Sequence, residues 1–156
     1  MDDAKFYAIA LEEAREGFDE GGIPIGAALV SSNGRLLGRG RNLRVQQGSA
    51  IHHGETAALA NSGRLPASAY KGSTMYTTLS PCDMCTGACL LYGIGRVVIG
   101  ENKTFLGGEA YLKQRGVEVV VLDDAESRGL MESFIEKHPE LWNEDIGVEK
   151  RVYTKE

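Results

Sequence analysis

Two short motifs constrain the fold of this chain more than any other part of its sequence. The first is H-x-E, from His53 to Glu55, and the second is P-C-x-x-C, which contains Cys82 and Cys85. Together they supply one imidazole, two thiols and a carboxylate, which predicts a zinc ion held by His53, Cys82 and Cys85. Three protein ligands leave the fourth tetrahedral position open for water, which distinguishes a catalytic zinc from a structural one.

The carboxylate of Glu55 gives the predicted zinc site a proton carrier. Zinc lowers the pKa of a bound water from 15.7 to about 7, which provides a nucleophile near neutral pH. Glu55 could take the proton from that water, place it on a ring nitrogen, and then protonate a departing exocyclic amine. Two thiolates, a neutral imidazole and Zn²⁺ sum to zero charge, so the site can hold an uncharged aromatic base. The paired motifs resemble the pattern of the zinc-dependent nucleobase deaminases.

Pro81 predicts that the cysteine motif opens a helix. Proline suits the first turn of a helix because its missing N–H is no loss there and its φ is already helical. Cys82 and Cys85 are then expected in the first turn, three positions apart on one face. The positive end of the helix dipole and the metal would both favour their thiolate forms.

Three alternative interpretations remain open from the motifs alone. A lone C-x-x-C is also typical of a thioredoxin-type redox pair. Cys89 lies one helical turn after Cys85 and could complete a closed structural zinc site, although a buried free cysteine is the commoner case in an apolar run. His52 could replace His53 as the ligand, but only His53 has the spacing to the glutamate.

Composition and charge limit the partners expected for this chain. Its 156 residues fit one globular domain over residues 1–156. The formal net charge is −5 without a Lys/Arg cluster, which argues against a nucleic acid partner and favours a small neutral substrate. No apolar run approaches the ~20 residues of a membrane span, so no membrane association is expected. Three cysteines, two of them assigned to zinc, predict a reducing cytoplasm rather than a disulfide framework.

Five strands and several helices are predicted from apolar spacing and turn residues. The strands are expected at 25–30, 36–40, 75–79, 96–99 and 117–122, the last two of them buried. Asn33-Gly34 predicts a hairpin between the first two strands, and Asn42 closes the second. The helices are expected at 4–18, from about 53 to about 63, from the cysteine motif to 93, at about 108–114, at 125–137 and, as a short last one, after Pro139.

After the opening hairpin, strands alternate with helices. This order predicts an α/β fold with a mixed five-stranded sheet that contains parallel strands and carries helices on both faces. Both zinc motifs lie at helix starts or strand-to-helix turns, and ligands in such sheets usually bind at the carboxyl ends of strands. The order of the elements and the motifs therefore indicate the same end of the sheet.

At this level of detail the chain resembles the yeast-type cytosine deaminases of the cytidine deaminase superfamily. The H-x-E and P-C-x-x-C motifs indicate only the superfamily, whereas the run from Thr77 to Ala88 and the ending with Trp142 and Asp145 are more specific. The resemblance extends over nearly the whole chain and is carried by residues 21–26, 38–42, 79–88, 100–102, 115–120 and 144–147.

The resemblance implies a three-layer α/β/α sandwich and a homodimer with one Zn²⁺ per chain. It also implies hydrolysis of cytosine to uracil and ammonia in pyrimidine salvage. When residues are matched by position, the resemblance assigns proton transfer to Glu55 and the role of a lid to the C-terminal segment. A further set of residues would bind the base. The polar members of that set are Asn42, Gly54, Ser80 and Asp145, and its apolar walls are Ile25, Phe105 and Trp142.

Two departures from the family pattern bear on the substrate. One residue is missing around 106–108, just after Phe105, and the chain continues past Gly147 as a polar tail over residues 148–156. The same zinc and Glu55 would also serve isocytosine, guanine or a creatinine-like ring, or, in a more open pocket, a nucleoside or a tRNA base. The non-enzymatic alternative is a zinc-stabilised scaffold protein, in which Glu55 would have no catalytic role.

Overall fold

A mixed five-stranded sheet forms the centre of the computed structural model, which describes residues 2–149. Its strands are β1 (Gly26–Val30), β2 (Leu36–Arg41), β3 (Thr74–Leu79), β4 (Arg96–Glu101) and β5 (Glu118–Val121). They lie in the order β2-β1-β3-β4-β5. Strand β1 is antiparallel to β2 and β3, whereas β3, β4 and β5 run parallel to one another.

Helices cover both faces of this sheet. Those in the described residues are α1 (Asp3–Asp19), α2 (Arg44–Gln47), α3 (Gly54–Ser62), α4 (Ala67–Tyr70), α5 (Asp83–Leu91), α6 (Glu109–Gln114), α7 (Ala125–Lys137) and α8 (Pro139–Asp145). Successive strand residues point to opposite faces. On one face Ala28 and Tyr76 pack with Phe6 of α1 and Leu130 of α7. On the other, Met75 and its neighbours pack against α3, α5 and α6, so the predicted α/β/α arrangement is confirmed.

Two glycines allow the helices to approach the antiparallel strands closely. A Cβ on Gly26 would lie 2.1 Å from the carbonyl oxygen of Ala10 in α1. A Cβ on Gly40 would lie 2.6 Å from the backbone nitrogen of Ala58 in α3. Any side chain at either position would force the helix away from the sheet. Helix α3, which carries the H-x-E motif, is thereby held against the end of the sheet where β2 finishes.

Most of the predicted elements are confirmed, with ends shifted by one or two residues. Helix α7 has the predicted bounds, and Gly34 takes a φ of 85° in the predicted hairpin. The predicted burial of residues 117–122 is wrong for β5, which is only half-buried because it is an edge strand paired on one side. The short helices α2 and α4 were not predicted, because four residues are too few to show a helical period.

None of the helices in residues 2–149 combines the length and the apolar character that crossing a membrane requires. The predicted polar tail begins with Val148 and Glu149, which are exposed. The rest of that tail, residues 150–156, lies outside the described residues.

Candidate zinc centre and base-binding pocket

The two zinc motifs meet at one end of the sheet, where two helices begin. His53 is the N-cap residue of α3 and Cys82 is the N-cap residue of α5. Cys85 and Glu55 follow in the first turns of their helices. Because helix N-termini carry partial positive charge, both turns favour anionic side chains.

The cysteine helix begins later than the sequence predicts. Helix α5 starts at Asp83, so Cys82 caps the helix instead of lying in its first turn, and Pro81 precedes the cap. The physical reason is that the backbone of Cys82 is extended, with ψ of 177°, while its carbonyl oxygen already accepts a hydrogen bond from the backbone N–H of Thr86 at 2.8 Å. The two thiols still face the same side.

Within residues 2–149, His53, Cys82 and Cys85 form a cluster whose donor atoms all lie within 4.8 Å of one another. The Nδ1 atom of His53 is 3.4 Å from the Sγ atom of Cys82, while its Nε2 atom is 3.2 Å from Oδ1 of Asp145. A metal-binding histidine has one nitrogen toward the metal and a carboxylate beside the other, and the two nitrogens of His53 are placed in this way, with Nε2 close to Asp145 but outside hydrogen-bonding geometry. One imidazole nitrogen and two sulfurs are a donor set that zinc prefers, so these residues fit the ion.

The alternative ligands do not join this cluster. Cys89 is fully buried and packs in the core with Val97 and Ile99. Neither Cys89 nor His52 belongs to the group of converging donor atoms. A closed four-ligand site is therefore not formed by the described residues, and the imidazole beside Cys82 favours a metal site over a redox pair.

The imidazole and the two thiols strongly affect one another's protonation. The pKa of Cys82 is lowered to about 4, mainly by the hydrogen bond from Cys85. Burial acts to raise this pKa, and His53 lowers it further. Burial opposes protonation of His53, but Asp145 and Cys82 outweigh it and raise its pKa to about 10. The pKa of Cys85 is raised by Cys82 and by burial. A divalent cation binds thiolates and neutral imidazole, so its binding would release protons and weaken at low pH.

Glu55 lies inside the site, with only 3% of its surface exposed. Burial raises the pKa of its carboxyl group, and the nearby charge of Cys82 raises it further. The hydroxyl of Thr77 in β3 donates a hydrogen bond to its Oε1 atom. Sequence reasoning missed Thr77, although a buried hydroxyl in an apolar strand is a signal because it requires a partner.

A narrow cavity of about 20 Å³, partly open to solvent, lies between the thiols of the metal-binding cluster and α8. A space of this size holds a water molecule but no pyrimidine ring, so one wall must move before a base can enter. Trp142 and Phe105 meet edge to face, with ring centres 5.8 Å apart. The walls are Ile25, His53, Glu55, Leu79, Ser80, Cys82, Phe105, Trp142, Asp145 and Ile146.

The cavity thus brings together most of the predicted base-binding residues. Leu79 and Ile146 were not predicted, because an apolar residue at the end of a strand or a helix has the same pattern as a core residue. Asn42 and Gly54 were also predicted to bind the base, but neither is among the wall residues. A Cβ on Gly54 would lie 3.2 Å from the backbone of Gly26, so the absence of a side chain allows α3 to begin against β1.

Asn42 and Asp145 form a buried polar pair beside the cavity. The Nδ2 atom of Asn42 donates to Oδ2 of Asp145 at 2.9 Å, and its Oδ1 atom accepts from the backbone N–H of Arg44 at 3.0 Å. Burial acts to raise the pKa of Asp145, but His53 and Arg44 outweigh it and hold the pKa below its usual range. The carboxylate is therefore ionised, and the Asn42 amide keeps a second N–H beyond the one bonded to Asp145.

The hydroxyl of Ser80 holds the loop that follows Phe105. It donates to Oε2 of Glu109 at 2.6 Å and accepts from the backbone N–H of Gly107 at 2.9 Å. Glu109 is buried and also accepts from Nδ2 of Asn102 at 3.3 Å. Sequence reasoning missed Glu109, since a glutamate in the first turn of a helix is usually a solvated residue. The segment at 106–108 is thus anchored to Ser80, which directly precedes the cysteine motif.

The family model for the cytidine and deoxycytidylate deaminase zinc-binding region matches residues 1–101. That span includes His53, Glu55, Cys82 and Cys85, and it ends before Phe105. The C-terminal part of the pocket therefore lies outside the region that the family model describes.

Individual relatives cover more of the chain. A cytosine deaminase of Candida albicans is 57% identical over 147 residues, which are 94% of this chain and 98% of that protein. A tRNA-specific adenosine deaminase of Bacillus subtilis is 36% identical over 99 residues, which are 63% of this chain and 61% of that protein. A solved structure from work on tRNA:A34 deaminases superposes with a TM-score of 0.68 at 28% identity, over 81% of this chain and 99% of that one.

Proposed function

The chain belongs to the cytidine and deoxycytidylate deaminase family, and from this we propose that it hydrolyses free cytosine to uracil and ammonia, using one zinc ion per chain. The observation that carries the proposal is the 57% identity to a cytosine deaminase across 98% of that protein's length. A match of this length extends well beyond the zinc motifs, which span residues 53–85. It therefore includes the residues proposed to surround the substrate as well as those proposed to hold the metal.

Proton transfer in the reaction is assigned to Glu55. Zinc held by His53, Cys82 and Cys85 would supply the Lewis-acid activation of a water molecule. The Glu55 carboxylate would accept a proton from the attacking water and deliver it to N3 of the ring. It would then take the second proton from the hydroxyl group on C4 and pass it to the exocyclic amine, so that the C4–N bond breaks, ammonia leaves and the water oxygen becomes O4 of uracil. The raised pKa of Glu55 and its hydrogen bond from Thr77 support this role, because the carboxyl group must both gain and lose a proton.

Asn42 and Asp145 would recognise the edge of cytosine that lies away from the amine. The second N–H of Asn42 can donate to O2, and the ionised carboxylate of Asp145 can accept from N1–H. Ser80 would contribute through its main chain, because its hydroxyl is already hydrogen-bonded on both sides. Ile25, Phe105 and Trp142 would enclose the flat ring, and the backbone around Gly54 would complete the polar contacts.

Helix α8 would act as the lid of the pocket. It carries Trp142 and Asp145, and Ile146 follows it directly, so it forms one continuous wall of the narrow cavity. A cavity of about 20 Å³ cannot admit cytosine unless such a wall moves. Movement of α8 would expose the base-binding groups and release uracil.

An ammonia-release assay tests the substrate directly. We expect kcat/KM for cytosine to exceed that for cytidine at least about 100-fold, because ribose on N1 removes the donor that Asp145 would accept and leaves buried polar groups unpaired. Isocytosine, guanine and creatinine in the same assay separate the other small rings. Equal rates on cytosine and cytidine would refute the free-base assignment. Activity on guanine or isocytosine alone would refute cytosine as substrate while retaining the deamination chemistry.

We further propose that the chain forms a homodimer through the apolar groove between α3 and α5. Leu91 is 76% exposed and Tyr92 is 41% exposed, and both line a groove of about 370 Å³ together with Leu59 and Tyr70. Apolar patches of this kind on a protein surface commonly mark an interface. A second copy of the chain would bury these side chains.

Replacing Leu91 with Arg is expected to convert the dimer to a monomer, because a charge would have to be buried in the interface. Light scattering coupled to size-exclusion chromatography would show a fall from twice the chain mass of 16.9 kDa to a single chain mass. Leu122→Arg is the matched control, since Leu122 is 39% exposed and lies outside the groove. A wild-type protein that is monomeric at high micromolar concentration would contradict the proposed assembly.

We also propose the cytoplasm as the compartment of this protein. All three cysteines are free thiols, and two of them belong to the zinc cluster, which oxidation would destroy. A reducing environment keeps such thiols available for the metal. We propose in addition that residues 1–156 form one deaminase domain and that this domain binds neither a nucleic acid nor a membrane.

A further inference from the structure

Arg44 is the first residue of α2, the short helix that follows β2, and it connects this part of the fold to the lid helix α8. Its Nε atom donates to Oδ1 of Asp145 at 2.8 Å, and its Nη1 atom donates to Oε1 of Glu144 at 3.0 Å. Asp145 and Glu144 are the last two residues of α8, where a cation is favoured by the helix dipole. The side chain of Arg44 is 14% exposed and that of Asp145 is 1% exposed, so the ion pair between them is largely shielded from water.

The carboxylate that Arg44 binds is the one that faces the zinc cluster. Oδ1 of Asp145 lies 3.2 Å from Nε2 of His53, and Oδ2 accepts from the amide of Asn42. Trp142 and the neighbouring Leu141 and Ile146 also pack in an apolar cluster, and apolar packing fixes orientation less strictly than hydrogen bonds do. The guanidinium group therefore fixes both the position of α8 and the direction of the Asp145 carboxylate.

We propose that Arg44 is a positioning residue of the deamination site, which holds α8 closed over the pocket and keeps Asp145 oriented toward His53 and Asn42. The part of this proposal that concerns the substrate rests on the proposed function. The part that concerns the lid does not, because closure of α8 can be measured in the absence of any substrate.

Trp142 provides a direct measurement of lid closure. It is the only tryptophan in the sequence, it lies on α8, and it is 2% exposed. Collisional quenching of its fluorescence by acrylamide therefore reports how often α8 opens. Steady-state kinetics on cytosine and zinc content per chain are measured on the same preparations.

Arg44→Met removes the charge and retains most of the aliphatic stem. We expect the quenching constant of Trp142 to rise several-fold and KM for cytosine to rise about tenfold or more, in line with the 10–100-fold effects of residues that orient metal ligands. Zinc content should stay at the wild-type level, because all three ligands remain. Arg44→Lys should give intermediate values, since a single ammonium cannot bind both carboxylates. Glu144→Gln should change little, because the side chain of Glu144 is 61% exposed.

Arg15→Met is the matched control, because Arg15 also pairs with a carboxylate, that of Glu126, but links α1 to α7 away from the pocket. It should leave both the quenching constant and KM unchanged. Wild-type quenching and wild-type kcat/KM in Arg44→Met would overturn the proposal, even if its melting temperature fell. If Arg44→Met does not fold, Arg44→Lys decides alone, and unchanged quenching and KM in that variant would overturn it. A wild-type protein inactive on cytosine refutes the proposed function only, since the quenching data still decide whether Arg44 holds the lid.

Discussion

Glu55→Gln is expected to abolish turnover while leaving the zinc centre intact. Removal of a positioned general acid–base typically costs 10²–10⁴-fold, and a single group that serves several proton transfers should lie at or above the top of this range, at about 10⁴-fold or more in kcat. The amide has nearly the same shape as the carboxyl group and can still accept the hydrogen bond from Thr77, so the surroundings should not rearrange. The measurement is kcat for cytosine together with zinc content per chain.

The interpretation of this variant depends on the zinc content and on a control. Glu126→Gln changes the same kind of side chain in an ion pair between α1 and α7, and its kcat should equal that of the wild type. Near-normal turnover in Glu55→Gln would point to another proton carrier. Simultaneous loss of zinc would mean that the carboxylate contributes to metal binding, which the cluster of His53, Cys82 and Cys85 does not require.

The sequence predicts the zinc cluster well because its chemistry is local. His53 and Glu55 are fixed by the first turn of one helix, and Cys82 and Cys85 by the start of another, so short motifs encode the relative positions within each pair. Strands β2 and β3 are both antiparallel to β1 and therefore run in the same direction, which brings the two helix starts to one end of the sheet. The same reasoning predicts the sheet, since the hairpin at Asn33-Gly34 and the alternation of strands with helices are local signals.

The groups that orient the cluster could not be predicted in the same way. These groups act through hydrogen bonds between residues that are far apart in the sequence. The pairs are Thr77 with Glu55, Glu109 with Ser80, and Arg44 with Asp145. Each of these residue types is ordinary in its local setting: a threonine in a strand, a glutamate in the first turn of a helix, an arginine after a strand. Only the packing of α3, α6 and α8 around the pocket gives each of them a buried partner. Strand β5 is half-buried because it lies at the edge of the sheet. The order of the strands in the sheet cannot be predicted from the apolar residues of β5 alone.

Cys82→Ser and Cys85→Ser are each expected to lose zinc and activity together. A serine hydroxyl stays protonated near neutral pH and cannot replace a thiolate ligand, so the remaining imidazole and single thiolate would bind zinc too weakly to retain it through purification. We expect zinc content far below one ion per chain and turnover below the detection limit. Both quantities are measured on the same sample, by metal analysis and by ammonia release.

Cys89 provides the control that separates loss of a ligand from loss of a thiol. Cys89 is fully buried in the core, and burial raises the pKa of its thiol, so it behaves as a small apolar residue. Alanine is a better replacement than serine here, because a hydroxyl without a partner in this core would cost about 1–3 kcal/mol. Cys89→Ala should therefore keep its zinc and its activity, with at most a lower melting temperature. Zinc loss in Cys89→Ala would indicate a fourth protein ligand, and with no open coordination position for water the centre would be structural.

Retained zinc and turnover without Cys85 would contradict the ligand set itself, because no other thiol joins the donor atoms that converge with His53 and Cys82 in residues 2–149.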